Sequence, residues 1–494
     1  MSGMPQHFLP FLLLALQLGG CSSSRSSHAS AGSGGTAIDA AATGAQGSPV
    51  VPKDAGTSTA PSDASTMRDA APTKPDAPRD AAQSGDAQDA QDAGHTEQPP
   101  SKTCIGTTKL ESYVADPKLC VYVFAQDVAG ARQLAFAPNG DLFVSNNEKL
   151  TVLWDADHNG ASDANERALF AQASGLNHGV VFDRNSKFVY ASSGTTVYRW
   201  TYASGRRTAE GAAEVVVDGI PTGGHSARPL AFDAHGRLIV SVGSASNVDT
   251  SQSEWGTRSQ IRRYTIPASI PSGGLAYISG EVIASGMRNE SGIFVDADDR
   301  LWGVENGRDN LADSDLGGDI HNDNPGEEIN LVDGQGPKFY GYPHCFSEFK
   351  VMSGQGQGAQ WADQTLEAAI QKTDAFCRDG AQVHPPAFVM PAHWAPLGVI
   401  RYTGRALPMT GDIVIGAHGS WNRNPASGRV VARAHLSGTT IMSLEILIGE
   451  KGDGGELRQG TWSVRPVDVR QGPDEAIYVS DDSGGRVLKI GYER

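Results

Sequence analysis

The chain has 494 residues and a formal net charge of −16, with 56 acidic against 40 basic side chains. That balance excludes a nucleic-acid partner, whose phosphates it would repel, and suits a body that meets small molecules or cations. Aromatic residues make up 7%, enough for a real core, but they are unevenly placed along the chain.

The first 21 residues, MSGMPQHFLPFLLLALQLGGC, read as a secretion signal. The apolar stretch 8–18 is too short for a permanent membrane span. It ends in Leu18-Gly19-Gly20-Cys21, similar to the bacterial lipobox, in which the cysteine thiol is acylated and becomes the new N-terminus. The segment before it holds no Lys or Arg, only His7; an ordinary signal peptide with an incidental cysteine is the alternative. Ser22 stands where an aspartate would mark inner-membrane retention, so the expectation is an exported protein held by lipid at the outer membrane.

Residues 22–103 are rich in Ala, Asp, Ser and Pro and nearly devoid of large apolar side chains. Such a segment buries too little surface to offset its ordering entropy and reads as a disordered tether. Beyond it stand Cys104, Cys120, Cys345 and Cys377. An even count in an exported chain implies two disulfides, and proximity favours Cys104–Cys120 and Cys345–Cys377.

From residue 104 to the end one pattern recurs: an apolar strand, a turn at Gly, Asp or Asn, then a second β-rich strand. It is seen in ARQLAFAPNGDLFVSNN, HGVVFDRNSKFVYASSG, ARPLAFDAHGRLIVSVGS, ESGIFVDADDRLWGVENG and RPVDVRQGPDEAIYVSDD, each followed by another short strand. A less regular sixth copy runs from PLGVIRYTG through GDIVIGAHGSWNR to RVVARAHL. Period-two alternation with polar turns marks antiparallel hairpins, and repeats of this length imply an all-β, six-bladed propeller. Ligand chemistry in a propeller sits at the axial mouth. The residues flanking the repeats there are His178, His225, Arg228, Arg288, Asn289, His393, Trp421, Asn422, Arg423 and Arg465, a set suited to a planar polyanion.

With these residues the chain over 104–494 resembles the glucose/sorbosone dehydrogenase family, six-bladed propellers that use pyrroloquinoline quinone. The motifs are GGHSARPLAFDAHGRLIVSVGS, GMRNESGIFVDADDRLWGVENGRDN, EEINLVDGQGPKFYGYPHCF, and PAHWAPLGVIRYTG with GAHGSWNR, the last two closest to the sorbosone branch. The resemblance implies oxidation of a sugar, or a sugar-derived aldehyde or alcohol, with electrons passed to an external acceptor. It makes His225 the general base, and Arg288, Asn289, Arg423 and Arg465 the cofactor contacts. Trp421 would cover the quinone plane, and Asn422, His178 and His393 would line the pocket. It also implies a calcium ion on the quinone edge, held by the main-chain carbonyls of Gly307 and Arg308. Glucose dehydrogenases of this group carry an acid where this chain has Gly243-Ser244, so the orientation of His225 must come from elsewhere.

A separate signal lies at 155–166, DADHNGASDANE, where Asp155, Asp157, Asn159, Asp163 and Glu166 match a twelve-residue calcium loop without flanking helices. A solvated acidic hairpin tip is the alternative. Two other functional classes stay open: a calcium-dependent lactonase-type hydrolase, and a non-catalytic surface propeller that binds glycan or protein.

Overall fold

The computed structural model describes residues 103–493 apart from residue 252. The signal segment, Cys21 and all of the tether except Thr103 lie outside the described residues. Thr103 is fully buried, and its Oγ1 accepts the backbone N–H of Tyr492 at 2.7 Å, so the folded part begins one residue sooner than composition indicated. Among the described residues no helix is long and apolar enough to cross a membrane.

Six antiparallel blades follow the repeats. Their inner strands are Ala131–Phe136, Leu176–Phe182, Leu230–Phe232, Glu290–Val295, Pro396–Arg401 and Pro466–Gln471, each paired with the next strand of its own blade. The irregular sixth repeat is blade five, Pro396–Arg401, Ile413–Ala417, Val430–Ser437 and Thr440–Lys451 in order. Blade six is completed from the other end of the sequence. Leu119–Ala125 pairs with the last strand, Arg486–Tyr492, and so closes the ring. This pairing joins the two ends of the described chain in one sheet, and the blades keep only short outer edges. Thr108–Lys109 adds beyond that strand, and Tyr113–Val114 extends blade five.

Alternate side chains of neighbouring blades interdigitate to form the core. Phe143, Val152 and Phe170 of blade one meet Val180, Val189 and Trp200 of blade two in one buried cluster. Each such side chain contributes about 1.5–3 kcal/mol through burial. Strand direction also fixes which loops share a face. Segments leading into the inner strands, and loops between second and third strands, meet at one end of the ring. Turns after first and third strands meet at the other.

Blade four departs from the hairpin plan. Between its third strand, Glu327–Val332, and its fourth, Phe388–Met390, lies a long insertion with one short helix, Asp374–Arg378, capped by Thr373. Cys345–Cys377 bridges this insertion and Cys104–Cys120 ties down the N-terminal strand, both as the sequence implied.

Candidate functional site

The end of the ring where inner strands begin carries a cleft of about 200 Å³. It brings together His225, Arg288, Gly307, His393, Trp421, Asn422 and Arg465 from four different blades. His225 precedes the inner strand of blade three. Its Nδ1 lies 3.0 Å from the carbonyl oxygen of Ser244 and 2.9 Å from that residue's Oγ, whose own hydroxyl donates to the Ser246 carbonyl at 2.7 Å. Both neighbours of Nδ1 therefore accept, so Nδ1 carries the proton and the Nε2 lone pair is left for the cleft. Burial first, then the Arg288 guanidinium, hold the ring's pKa down to about 4, so it is neutral at neutral pH. The orientation that an acid supplies elsewhere comes here from Ser244. Gly243 makes the arrangement possible: a Cβ there would stand 2.6 Å from Asn289 Oδ1 and 2.7 Å from His225 Cβ. Arg228 is fully buried and donates to the carbonyls of His225, Ala227, Pro221 and Gly194, pinning the same segment from beneath.

The cations differ in how much of their hydrogen-bonding capacity the chain already uses. Arg465 donates from Nε to the His418 carbonyl at 3.2 Å and from Nη2 to the Gly419 carbonyl at 3.3 Å, which leaves both protons of Nη1 uncommitted. Arg288 is nearly saturated, by Asn247, the Asn306 carbonyl and Asp309, and has one Nη1 proton to spare. Both side-chain amide atoms of Asn422 are buried without a partner. Trp421 is 74% exposed at the rim. His393 is held by the His321 carbonyl and stands 3.8 Å from Asp309.

Other expected residues stand apart from the cleft lining. Arg423 is turned away from its neighbour Asn422, toward the Asn322 and Pro425 carbonyls and an ion pair with Asp323 at 2.8 Å. Asn289 is buried behind the wall and donates to Asn306 Oδ1 at 3.0 Å. His178 is buried with both ring nitrogens engaged, Nε2 on the Ser291 carbonyl at 3.1 Å and Nδ1 near Arg132 at 3.5 Å. Its pKa is pushed down to about 3 by burial and then by Arg132. The side chain of Arg308 reaches outward to Asp363 and Thr365, tying the cleft loop to the disulfide-bridged insertion.

Sequence reasoning missed four cleft residues. Glu327 is buried, with Oε2 accepting the Gly307 N–H at 2.7 Å and Oε1 the Ala395 N–H at 3.1 Å, and burial raises its pKa to about 8. It thus fixes the Gly307 peptide, while Asp309 and Asn306 hold Arg288 and Asn289. His418 pairs with Asp482 at 3.0 Å, and Asp482 in turn with Arg132 at 2.8 Å. Its signal was visible, since His418 stands inside GAHGSWNR.

The acidic loop lies at the opposite end of the ring, between the third and fourth strands of blade one. Oxygens of Asp155, Asp157 and Glu166 lie within 4.8 Å of one another. Asn159 instead accepts the Ala161 N–H and donates to Asp157, and Asp163 bonds through its backbone to Glu166 and Arg167, so three of the five expected ligands gather.

Comparison with known proteins places the fold and the family. A pyrroloquinoline quinone-dependent pyranose dehydrogenase of Coprinopsis cinerea is 29% identical over 346 residues, 65% of this chain and 46% of that protein. The chain thus spans about half the length of that relative. A pyrroloquinoline quinone-dependent sugar dehydrogenase of Hypocrea jecorina is 29% identical over 313 residues, 60% of this chain and 66% of the other. Among solved structures, the holo form of the quinone domain of the Coprinopsis cinerea pyranose dehydrogenase superposes with TM-score 0.67 at 25% identity, covering 77% of this chain and 97% of that one. The calcium structure of the Trichoderma reesei carbohydrate-active enzyme of family AA12 gives 0.68 at 24%, covering 78% and 98%. The TrAA12-like family profile matches residues 113–493, and the chain belongs to that family.

Proposed function

We propose that this chain oxidises a sugar, with pyrroloquinoline quinone as hydride acceptor, His225 as general base and calcium as Lewis acid. The names of the relatives supply the cofactor and the substrate class. The cleft supplies the fit. A planar tricarboxylate needs cations and planar amides with donors to spare. Arg465 and Asn422 have them, and Trp421 offers an open ring face beside both. Among the described residues none donates a hydrogen bond to the carbonyls of Gly307 or Arg308, which leaves those oxygens for a hard cation. The quinone, held by Arg465 and Asn422, would supply a hydride acceptor, and calcium at the Gly307 and Arg308 carbonyls would supply Lewis acidity.

The chain's own part is the proton. Nε2 of neutral His225 accepts it from the substrate hydroxyl, because Ser244 holds the proton of the other nitrogen. That tautomer, fixed beside Arg465 and Asn422, is the observation that carries the reading. A Lewis-acid hydrolase would want free carboxylates at the mouth. Here Asp309 is paired with Arg288, and Glu327 accepts two backbone N–H groups.

The test is reconstitution: purified protein with calcium, with and without the quinone, a dye acceptor and a panel of aldoses. Turnover that requires the quinone supports the reading. Lactone hydrolysis without it, or sugar binding with no turnover, selects one of the other two classes. We also propose, from the sequence alone, an external electron acceptor and a lipid on Cys21 that holds the protein at the outer membrane; Cys21→Ser should release it. The 155–166 loop is proposed as a second calcium site.

A further inference from the structure

The ring carries a second cavity, of about 370 Å³, at the end opposite the cleft, beside the acidic loop and against the seam of blades one and six. Its apolar wall is an aromatic cluster. The rings of Phe124 and Phe136 meet Tyr478 edge to face, at centroid distances of 5.0 and 4.9 Å. Trp154 adds a fourth ring, one face of which is covered by the Arg207 guanidinium at 3.6 Å.

The polar groups facing this wall are held rigidly but not used up. Arg207 is clamped by the buried carboxylate of Asp141, from Nε at 2.8 Å and from Nη2 at 2.9 Å, so both protons of Nη1 and one of Nη2 stay uncommitted. Lys489 is 5% exposed; its ammonium pairs with Asp474 at 2.7 Å and stands 5.9 Å from the centroid of the Tyr478 ring, which leaves donor capacity toward the cavity. A buried ammonium with spare donors beside an open cavity is costly unless something accepts them. Each cation is neutralised by its own aspartate, and Asp155 on the rim adds negative charge, which selects against an anion. The remaining ligand class has many neutral acceptor oxygens and an apolar C–H face to lie on aromatic rings.

We propose that this cavity is a saccharide-binding site, separate from the axial cleft and independent of the quinone. Arg207 and Lys489 donate to hydroxyl and ring oxygens, and the sugar's C–H face packs on the Trp154 and Phe136 side of the wall. It needs no chemistry and holds a glycan while the cleft, at the other end of the ring, stays open.

The experiment is calorimetric titration of the full protein, without quinone, with cellotriose, maltotriose, xylotriose and chitotriose. At least one should bind. Lys489→Met and Arg207→Ala should each weaken that binding more than tenfold, while Trp421→Ala and Arg465→Met in the cleft leave it within twofold. Because Lys489 is buried, melting curves accompany each variant. Arg207, at the rim, serves as the second test should Lys489→Met unfold. No binding by any of the four sugars, or binding lost only in the cleft variants, overturns the proposal. Failure of quinone reconstitution with this binding intact would overturn the dehydrogenase reading alone.

Discussion

Blades two and three each place a histidine near the axis, and the two have opposite fates. His178 sits within an inner strand, fully packed, with one nitrogen on a carbonyl and the other against Arg132. His225 sits five residues ahead of its inner strand, and only one of its nitrogens is taken. A position inside the strand commits the ring to packing, whereas a position just before it leaves half the ring for a ligand. Arg465, one residue ahead of its inner strand, keeps donors to spare, whereas Arg423, in the loop between the second and third strands of blade five, spends its guanidinium on Asn322, Pro425 and Asp323. The useful group at a propeller mouth is the one whose neighbours satisfy it incompletely.

The sharpest way to break the comparison is to remove each histidine. His225→Gln should lower turnover by roughly 10²–10⁴-fold with quinone affinity near wild type, the usual worth of a positioned base. His178→Ala should leave turnover near wild type and instead cost about 1–3 kcal/mol in denaturant unfolding, since it strands buried partners. Acid acts on both rings, and over the wider window on His178, because His225 is held down to about 4 and His178 to about 3. Below pH 6.5 the unfolded chain takes a proton on residue 178, while the folded chain refuses it until about pH 3. Stability is therefore lost as pH falls through that window, and His178→Ala should flatten the slope. Full turnover in the His225 variant would move the base elsewhere.

The arginines give the next largest effect. Arg465→Met should weaken quinone binding by about 10–100-fold, the worth of charge-assisted bonds to a carboxylate, whereas Arg423→Met should change it by less than about threefold. Equal losses, read by fluorescence titration of the quinone, would show that Arg423 swings into the cleft. A subtler effect falls on the pH profile. With His225 depressed to about 4, kcat/KM should be flat from about pH 5 upward and fall only below that. Ser244→Asp places a carboxylate against Nδ1–H, favours the imidazolium and should move the acid limb to higher pH. The ring's own NMR titration, followed without quinone, should move in the same direction. An unmoved titration would mean that Ser244 does not contact the ring in solution.

How far the sequence was legible follows the same division. Five blades were plain because period-two alternation and polar turns repeat locally, and the sixth was recognisable despite its irregular spacing. The closing strand Leu119–Ala125 was not, because its partner Arg486–Tyr492 lies at the far end of the chain and no local pattern records the pairing. Motifs located His225, Arg288 and Arg465, but they could not tell which donors the fold leaves free. Asn422 and Arg423 are adjacent in sequence, yet one lines the cleft and the other pairs with Asp323. Glu327 stands inside the motif EEINLVDGQGPKFYGYPHCF, yet a buried carboxyl that accepts two backbone N–H groups has no signature except the fold around it.

The smallest expected effect concerns the far-end loop, where the comparison reverses. There the carboxylates are already served: both oxygens of Asp155 accept the N–H groups of Asn159 and Gly160, and those of Glu166 accept Ala156 and Asp163. An ion would have to share oxygens that the loop is using, although each carboxylate oxygen has a second lone pair to give. Burial raises the pKa of Asp155, and the nearby Asp157 and Glu166 add to the push, because oxygens of the three carboxylates lie within 4.8 Å of one another. Saturating calcium should then raise the melting temperature by about 2–5 °C. Asp155→Ala with Glu166→Ala should remove the loop's share of that rise, leaving only what an ion in the cleft contributes, and leave quinone affinity unchanged, because the loop and the cleft lie at opposite ends of the ring. A double variant that responds to calcium as fully as wild type would leave the loop as a self-satisfied turn and assign the ion to the cleft instead.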